Sequence, residues 1–377
     1  MRILHLIDSG GVYGAERILL YLAQEQQRRG HDPVIGSIGS LGVRPKEIET
    51  TAASLGLRVV PIRTARRPTP GMIRLLLQTV RDIAPDVLHS HGYKADILLG
   101  FLPRRVRGPM LTTLHGWTAA GKVDALWLYE RLDRISLRRI DAVVVVASPM
   151  LQLPAVRHIV PQRLHVIENG IPPLAERLAD LAARGVAALP PQLLTFLAHQ
   201  PTVVAIGRLS REKGVAVLLE AVARVRAGRP CQLLIVGEGR EHAALQRRIQ
   251  QLSLSDSVLI SGYVEGADRL LEHAAGFVMS SLTEGMPLVL LEALQWQVPI
   301  LATRVGAIPE LLQGRGRCEV VAPDDALALA AGLERMLSAP PAMERATAAA
   351  EPTVRFSSAL MATQYLDRYQ RIRERPS

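Results

Sequence analysis

The chain has 377 residues, 48% apolar and 21% charged, which is enough for two domains with separate cores and too apolar for a disordered protein. No apolar run approaches the ~18 residues of a membrane span, and two cysteines, Cys231 and Cys318, exclude a disulfide framework and point to the cytoplasm. Residues 1–170 hold 23 Lys and Arg against 14 Asp and Glu and the rest 22 against 21, so the first half suits an anionic partner, with a solvated basic face as the plain alternative, while aromatics at 4% argue against nucleic acid.

In chain order, Ile3 to Ile7 reads as a strand that runs straight into glycines, unlike a signal peptide with a cleavage site. Gly10-Gly11-Val12-Tyr13-Gly14 then forms a loop before an amphipathic helix over Ala15 to Gln27. A glycine turn ahead of a helix lets backbone approach a phosphate or sugar. Ser9 stands where a dinucleotide fingerprint needs its first Gly, and the strand over Pro33 to Ile38 ends in Gly39-Ser40 without a ribose-holding acid. Both features argue against a nicotinamide oxidoreductase.

Alternation continues with strands at Leu57 to Pro61, Asp86 to His89, Met110 to Leu114, Ala142 to Ala147 and Leu164 to Ile167. Helices fall between them at Met72 to Ile83, Lys94 to Phe101 and Asp124 to Arg139. Such alternation predicts an α/β fold with a parallel sheet covered by helices. His89, His91 and His115 fall at or after the carboxyl ends of strands, where open α/β sheets bind ligands; a hydrogen-bonded structural role is the equal alternative for each. The turn Glu168-Asn169-Gly170-Ile171-Pro172-Pro173 marks a domain break, and 171–200 reads as a connector.

A second series repeats the architecture over 201–355. Its strand-to-loop junctions are Val203 to Ile206 with Gly207 to Gly214, Leu233 to Val236 with Gly237, Val258 to Ser261 with Tyr263-Val264, and Ile300 to Thr303 with Gly306-Ala307. Between the last two, Phe277 to Met279 leads into Glu284-Gly285-Met286-Pro287-Leu288 and on to Glu292. Pro287 suits a first helical position, so the helix's free N–H groups would stand beside two carboxylates, where a phosphate and nearby hydroxyls can be held. Arg208 and Lys213 could neutralise a diphosphate from two directions, against the plain alternative of a solvated basic loop. The tail from Phe356 through Tyr365 and Tyr369 has helical spacing.

Glu284 seven residues before Glu292, Gly-Arg-Leu-Ser-Arg-Glu-Lys-Gly at 207–214, Gly10-Gly11 and Asn169-Gly170-Ile171 together resemble the GT4 family of retaining glycosyltransferases, over almost the whole chain. The resemblance implies a GT-B fold, two Rossmann-like domains facing a cleft, with a C-terminal helix of about 356–377 returning to the first domain, residues 1–170. It implies transfer of a sugar from a nucleotide-diphosphate sugar to a glycan or lipid-linked acceptor, with no cofactor and no metal. By position, Arg208 and Lys213 would hold the diphosphate, Glu284 and His115 the donor sugar, and Glu292 the ribose. Gly10, Gly11, Gly237, Gly285, Met286, Pro287 and Leu288 would present backbone to the donor, and Tyr263-Val264 would flank the base. Three positions depart from the family pattern: Pro172 for Asp, Gln297 for Gly, and Ala307 for the second Gly of a pair. A catalytically silent nucleotide-sugar-binding homologue is the rival reading, opposed by retention of the five charged and histidine positions.

The basic first half adds one expectation, attachment to an anionic membrane on its inner face. Arg63, Arg66, Arg67, Arg74, Arg81, Arg104, Arg105 and Arg107 gather near apolar helices containing Met72, Ile73, Leu75, Leu76 and Leu77.

Overall fold

The computed structural model describes residues 1–8, 11–42, 44–64, 70–116, 125–186, 188–338 and 354–375, without the side chains of 125–130. The chain forms two compact units, Met1–Pro172 with Val354–Ser377, and Pro173–Thr353.

The first unit holds β1 (Arg2–Ile7), β2 (Asp32–Ser40), β3 (Arg58–Thr64), β4 (Val87–Ser90), β5 (Met110–Leu114), β6 (Ala142–Val145) and β7 (Leu164–Val166). They form one sheet in the order β3-β2-β1-β4-β5-β6-β7, every pair parallel. The strands are near-continuous apolar runs because helices cover both faces, and all four residues of β6 are buried. The order reverses between β1 and β4, which pair with His5 opposite His89. Such reversals open a crevice at the carboxyl ends of the strands.

Two features of this unit answer to Asn169-Gly170-Ile171. Ile171 forms a parallel bridge with Ser357, and a Cβ on Gly170 would lie 2.2 Å from the Ser357 carbonyl oxygen. The motif therefore admits the returning chain, whatever else it does. The helix Ser358–Glu374 that follows is capped by the Ser357 hydroxyl, which accepts from the Leu360 N–H at 3.2 Å. It is fixed to the helix Gly14–Arg28 by a bond of 3.0 Å from the Ser358 hydroxyl to Glu25 and by Arg29, which donates to Thr363 and to the Ala359 carbonyl.

The second unit repeats the plan with β8 (Thr202–Ile206), β9 (Gln232–Val236), β10 (Val258–Ile260), β11 (Gly276–Met279), β12 (Ile300–Thr303) and β13 (Cys318–Val321). Its order is β10-β9-β8-β11-β12-β13, again parallel, with the reversal between β8 and β11. Strand β13 and the helix Ala326–Ser338 complete the sheet's edge and were not expected from the sequence. The stretch expected as a connector contains the helices Leu174–Ala183 and Pro191–His199, both within this unit. Arg177 is buried there, 2.6 Å from Asp268, which also accepts from the Trp296 indole at 3.0 Å.

Two departures noted in the sequence resolve into backbone geometry. Ala307 has φ −78°, a conformation that any residue adopts, while Gly306 has φ 53° and could carry a Cβ only 2.3 Å from the Glu284 carbonyl oxygen. Only the first of the pair has to be glycine. Gln297, by contrast, lies at φ 53° just past the end of the helix Leu288–Gln295, where left-handed backbone favours glycine. Gln297→Gly is expected to stabilise the protein by about 1 kcal/mol, seen as a higher urea midpoint at unchanged slope. An unchanged or lower midpoint would show that the glutamine side chain compensates.

Candidate functional site

The residues singled out in the sequence fall on both units. In the second, the loops after β8 and β11 flank the reversal of strand order. Gly214 has φ 61°, and a Cβ on it would lie 2.1 Å from the Ser280 carbonyl oxygen, so glycine lets the two loops close on each other. The Leu282 N–H donates to the Glu212 carbonyl at 2.7 Å, and the Ser280 hydroxyl to the Lys213 carbonyl at 3.0 Å. Leu209, fully buried, anchors the first loop, its N–H bonded to the Glu238 carbonyl at 2.7 Å. Gly237 is needed beside it, since its Cβ would meet the Gly207 carbonyl oxygen at 2.0 Å and its φ is 146°.

These contacts bring Lys213 to Glu284. The ammonium lies 2.6 Å from the carboxylate, in a half-buried pair, and the Ser281 hydroxyl donates to the same oxygen at 2.6 Å. Ser281 was missed in the sequence because a serine in a polar loop carries no pattern of its own. Lys213 has three N–H donors and gives one to Glu284, so two remain for oxygens of a ligand. Arg208 is exposed on the same loop, and Tyr263 is exposed with Val264 half-buried after β10.

Pro287 stands one residue before the helix rather than at its first position. Its ψ of 124° is extended, and its carbonyl accepts the first turn's bond from the Leu290 N–H at 3.2 Å. Leu288 begins the helix. Met286, Pro287 and Leu288 are buried and Gly285 half-buried, and the Gly285 carbonyl is held by the Ala307 N–H at 2.9 Å. Glu292 is almost fully buried, with a carboxylate oxygen 3.6 Å from Arg177. That neighbour comes from the stretch read as a connector, where nothing in the local pattern ties it to Glu292.

In the first unit, Gly10 lies outside the described residues, and Gly11 is buried with the Tyr13 ring 3.0 Å from where its Cβ would be. His115, half-buried, follows β5 and is one end of a chain of polar groups whose other members are buried. Its Nε2 lies 3.0 Å from His91 Nδ1, and His91 Nε2 lies 3.0 Å from His5 Nδ1. His5 Nε2 reaches Gln26 Oε1 at 2.8 Å, and Gln26 Nε2 donates to Tyr369 Oη at 3.3 Å. Tyr369 Oη is 2.6 Å from His89 Nδ1, and His89 Nε2 is 2.8 Å from the Thr113 hydroxyl, itself 2.8 Å from Tyr365 Oη. Burial lowers the proton affinity of all four rings, His5 and His115 to a pKa of about 4, His89 and His91 well below the usual range with neighbouring rings adding to the effect. They are neutral at pH 7. One ring nitrogen from each of His5, His89 and His91 lies within 4.8 Å of the others, a grouping that could hold a metal ion. Both nitrogens of each ring are already engaged by the chain's own groups, so a metal would have to displace those bonds.

The arginines expected at a membrane are partly committed elsewhere. Arg63 donates to both oxygens of Glu49 at 2.8 Å, and Arg104 and Arg107 each lie 2.9 Å from Asp141. Arg66 and Arg67 lie outside the described residues. Met72 and Leu76 are buried in the first unit's core, while Arg74, Arg81, Arg105, Leu75 and Val106 are exposed. Among the described residues no helix is long and apolar enough to cross a membrane.

Comparison with known proteins follows the two-unit division. The family model described as Glycosyltransferase Family 4 matches residues 12–173, and that described as Glycosyl transferases group 1 matches residues 200–339. An alpha-D-kanosaminyltransferase from Streptomyces kanamyceticus is 30% identical over 47% of this chain and 47% of its own length. An N-acetyl-alpha-D-glucosaminyl L-malate synthase from Bacillus anthracis is 26% identical over 60% of this chain and 59% of its own. The chain thus spans about half the length of these curated relatives. The Anabaena protein HepE, solved in complex with UDP and glucose, superposes with a TM-score of 0.80 over 98% of this chain and 99% of its own, at 19% identity. That likeness is one of fold. Because the two family models take up one unit each and meet the loops described above, the chain belongs to the family 4, group 1 glycosyltransferases with the GT-B fold.

Proposed function

We propose that the protein transfers a sugar from a nucleoside-diphosphate sugar to a glycan or lipid-linked acceptor, with retention and without a bound metal. The observation that carries this reading is the Lys213–Glu284 pair of 2.6 Å, built at the strand-order reversal of the second unit. Arg208 and the two remaining N–H donors of Lys213 bind the diphosphate and stabilise it as the bond to the sugar breaks, which is electrostatic work that a metal does elsewhere. Glu284, held by Ser281 and Lys213, accepts from hydroxyls of the sugar. Glu292 serves the ribose, and Tyr263-Val264 the base. Retention places the acceptor oxygen on the face from which the diphosphate leaves, so the departing phosphate oxygen is the base at hand for the acceptor's proton.

The reading is supported by the Anabaena fold relative, solved with UDP-glucose, and by curated relatives named as sugar transferases. A hydrolysis screen over UDP-, GDP- and ADP-sugars tests it: one base is expected to give slow donor hydrolysis without acceptor. No turnover and no binding of any nucleoside diphosphate would retire it in favour of another ligand.

We also propose a membrane-proximal acceptor, with the exposed Arg74, Arg81 and Arg105 and the exposed Leu75 and Val106 as the residues that would meet the membrane. Each basic residue near an anionic leaflet contributes about 1 kcal/mol, which gives reversible attachment that salt removes. Co-sedimentation with anionic but not neutral vesicles at low salt is the expected result. Protein left in the supernatant with anionic vesicles would point to a soluble acceptor.

A further inference from the structure

The polar chain in the first unit has a direction. An amide oxygen can only accept, so the His5 Nε2 that lies 2.8 Å from Gln26 Oε1 carries the proton. A neutral imidazole has one N–H, so His5 Nδ1 is a lone pair and the facing His91 Nε2 must donate to it. His91 Nδ1 is then a lone pair in turn, and His115 Nε2 donates to that. His115 Nδ1 is left as a bare acceptor, and it is a buried atom with no hydrogen-bond partner among the described residues. A buried polar atom left unpaired costs free energy unless something fills it.

The Gln26 amide sets this direction, and the Tyr369 hydroxyl, which both donates and accepts, is satisfied in it as it would be in the reverse. Its oxygen accepts from the Gln26 amide nitrogen, and its own proton goes to His89 Nδ1, which leaves His89 Nε2 to donate to Thr113. Were the Gln26 amide turned around, every ring would switch tautomer and His115 would present an N–H at Nδ1.

We infer that Gln26, His5 and His91 are positioning residues that hold His115 as the Nε2–H tautomer, so that its Nδ1 accepts a hydrogen bond from a hydroxyl of the donor sugar. The contact with sugar rests on the function proposed above; the tautomer chain does not. A neutral lone pair at that point welcomes a hydroxyl and repels a carboxylate, so the sugar class is a neutral one that presents a hydroxyl there rather than a uronate.

The test uses the full-length protein with histidines labelled in nitrogen-15. Two-bond proton–nitrogen spectra at pH 7.5 are expected to show His5, His91 and His115 all protonated at Nε2 and bare at Nδ1. His115 protonated at Nδ1 in the wild-type protein would overturn the inference. In Gln26→Leu, His115 is expected to show both tautomers, while the donor KM rises about two- to tenfold with kcat nearly unchanged. Should that variant fail to fold, Tyr369→Phe keeps the ring and removes only the oxygen that holds the far end of the Gln26 amide, with the same mixture expected. A single unchanged tautomer in a folded variant would overturn the relay. A protein that shows the expected tautomers but hydrolyses no nucleotide sugar would remove the sugar contact and leave the chain of bonds standing.

Discussion

As the pH falls from 6.5 toward 4, the protein is expected to lose stability steeply, with the first unit giving way first. The histidines at 5 and 115 take up a proton near pH 6.5 once unfolded but only near pH 4 when folded. Between those values the unfolded chain binds more protons, so acid favours it. Above pH 6.5 the rings are neutral in both states and their contribution is constant. His89 and His91 act in the same sense, because burial lowers both. Asp96 acts in the opposite one, since burial and the charge of Asp133 hold its carboxyl well above the usual range. Four rings outweigh one carboxyl, and the net loss is several kcal/mol on the scale of ~1.4 kcal/mol per pH unit and proton. Urea unfolding across this range, with hydrogen exchange to assign the amides that open, is the measurement. A stability flat from pH 6.5 to 4, or amides of β8 and β11 opening before those of β1 and β4, would contradict the account.

Removing either half of the Lys213–Glu284 pair is expected to damage catalysis in different ways. Lys213→Ala takes away a charge-assisted bond to the diphosphate, worth roughly 1.5–3 kcal/mol in nucleoside-diphosphate affinity, and Arg208→Ala is expected to do the same. It also leaves Glu284 with only Ser281 of its two partners at Oε1, so donor turnover falls further than affinity. Glu284→Gln keeps the shape and the loop, and is expected to lower kcat by a factor on the order of 10²–10³ with nucleotide affinity close to wild type. Glu292→Gln is expected to act on nucleotide affinity instead. Calorimetric titration with the nucleoside diphosphate, beside donor hydrolysis, separates the two. Wild-type affinity in both Arg208→Ala and Lys213→Ala would sink the diphosphate assignment. Equal losses of affinity in the two glutamine variants would mean that the sugar and ribose roles are wrongly divided.

What could be read from the sequence was what local pattern encodes. Buried strands of a parallel sheet are short apolar runs, so Ala142 to Val145 or Thr202 to Ile206 announce themselves and carry the alternation with them. Strand β13 did not, because Cys318 to Val320 are half-buried at a sheet edge and follow a run of Gly and Arg. The same limit applied to side chains. Lys213 and Glu284 stood out as charges in glycine-bearing loops, whereas Gln26 looked like one more polar residue in an amphipathic helix. Its meaning comes from Tyr369, 343 residues further on, and no window of sequence holds both.

The route of the chain has a consequence for the order in which it is made. The first unit is opened at Pro172 and taken up again at Val354, so a ribosome must deliver the whole of the second unit before the first can be finished. Until Tyr365 and Tyr369 emerge, Thr113, His89 and the nitrogen of Gln26 wait in a half-built interior without the oxygens that will satisfy them. Among the described residues, the second unit has its last strand by Val321 and its last helix by Ser338, well before the first unit's closing helix. It can therefore be native while its elder neighbour is still open, and a chain cut short before Ser358 would keep the thirteen strands of the described residues yet never close the first unit's core.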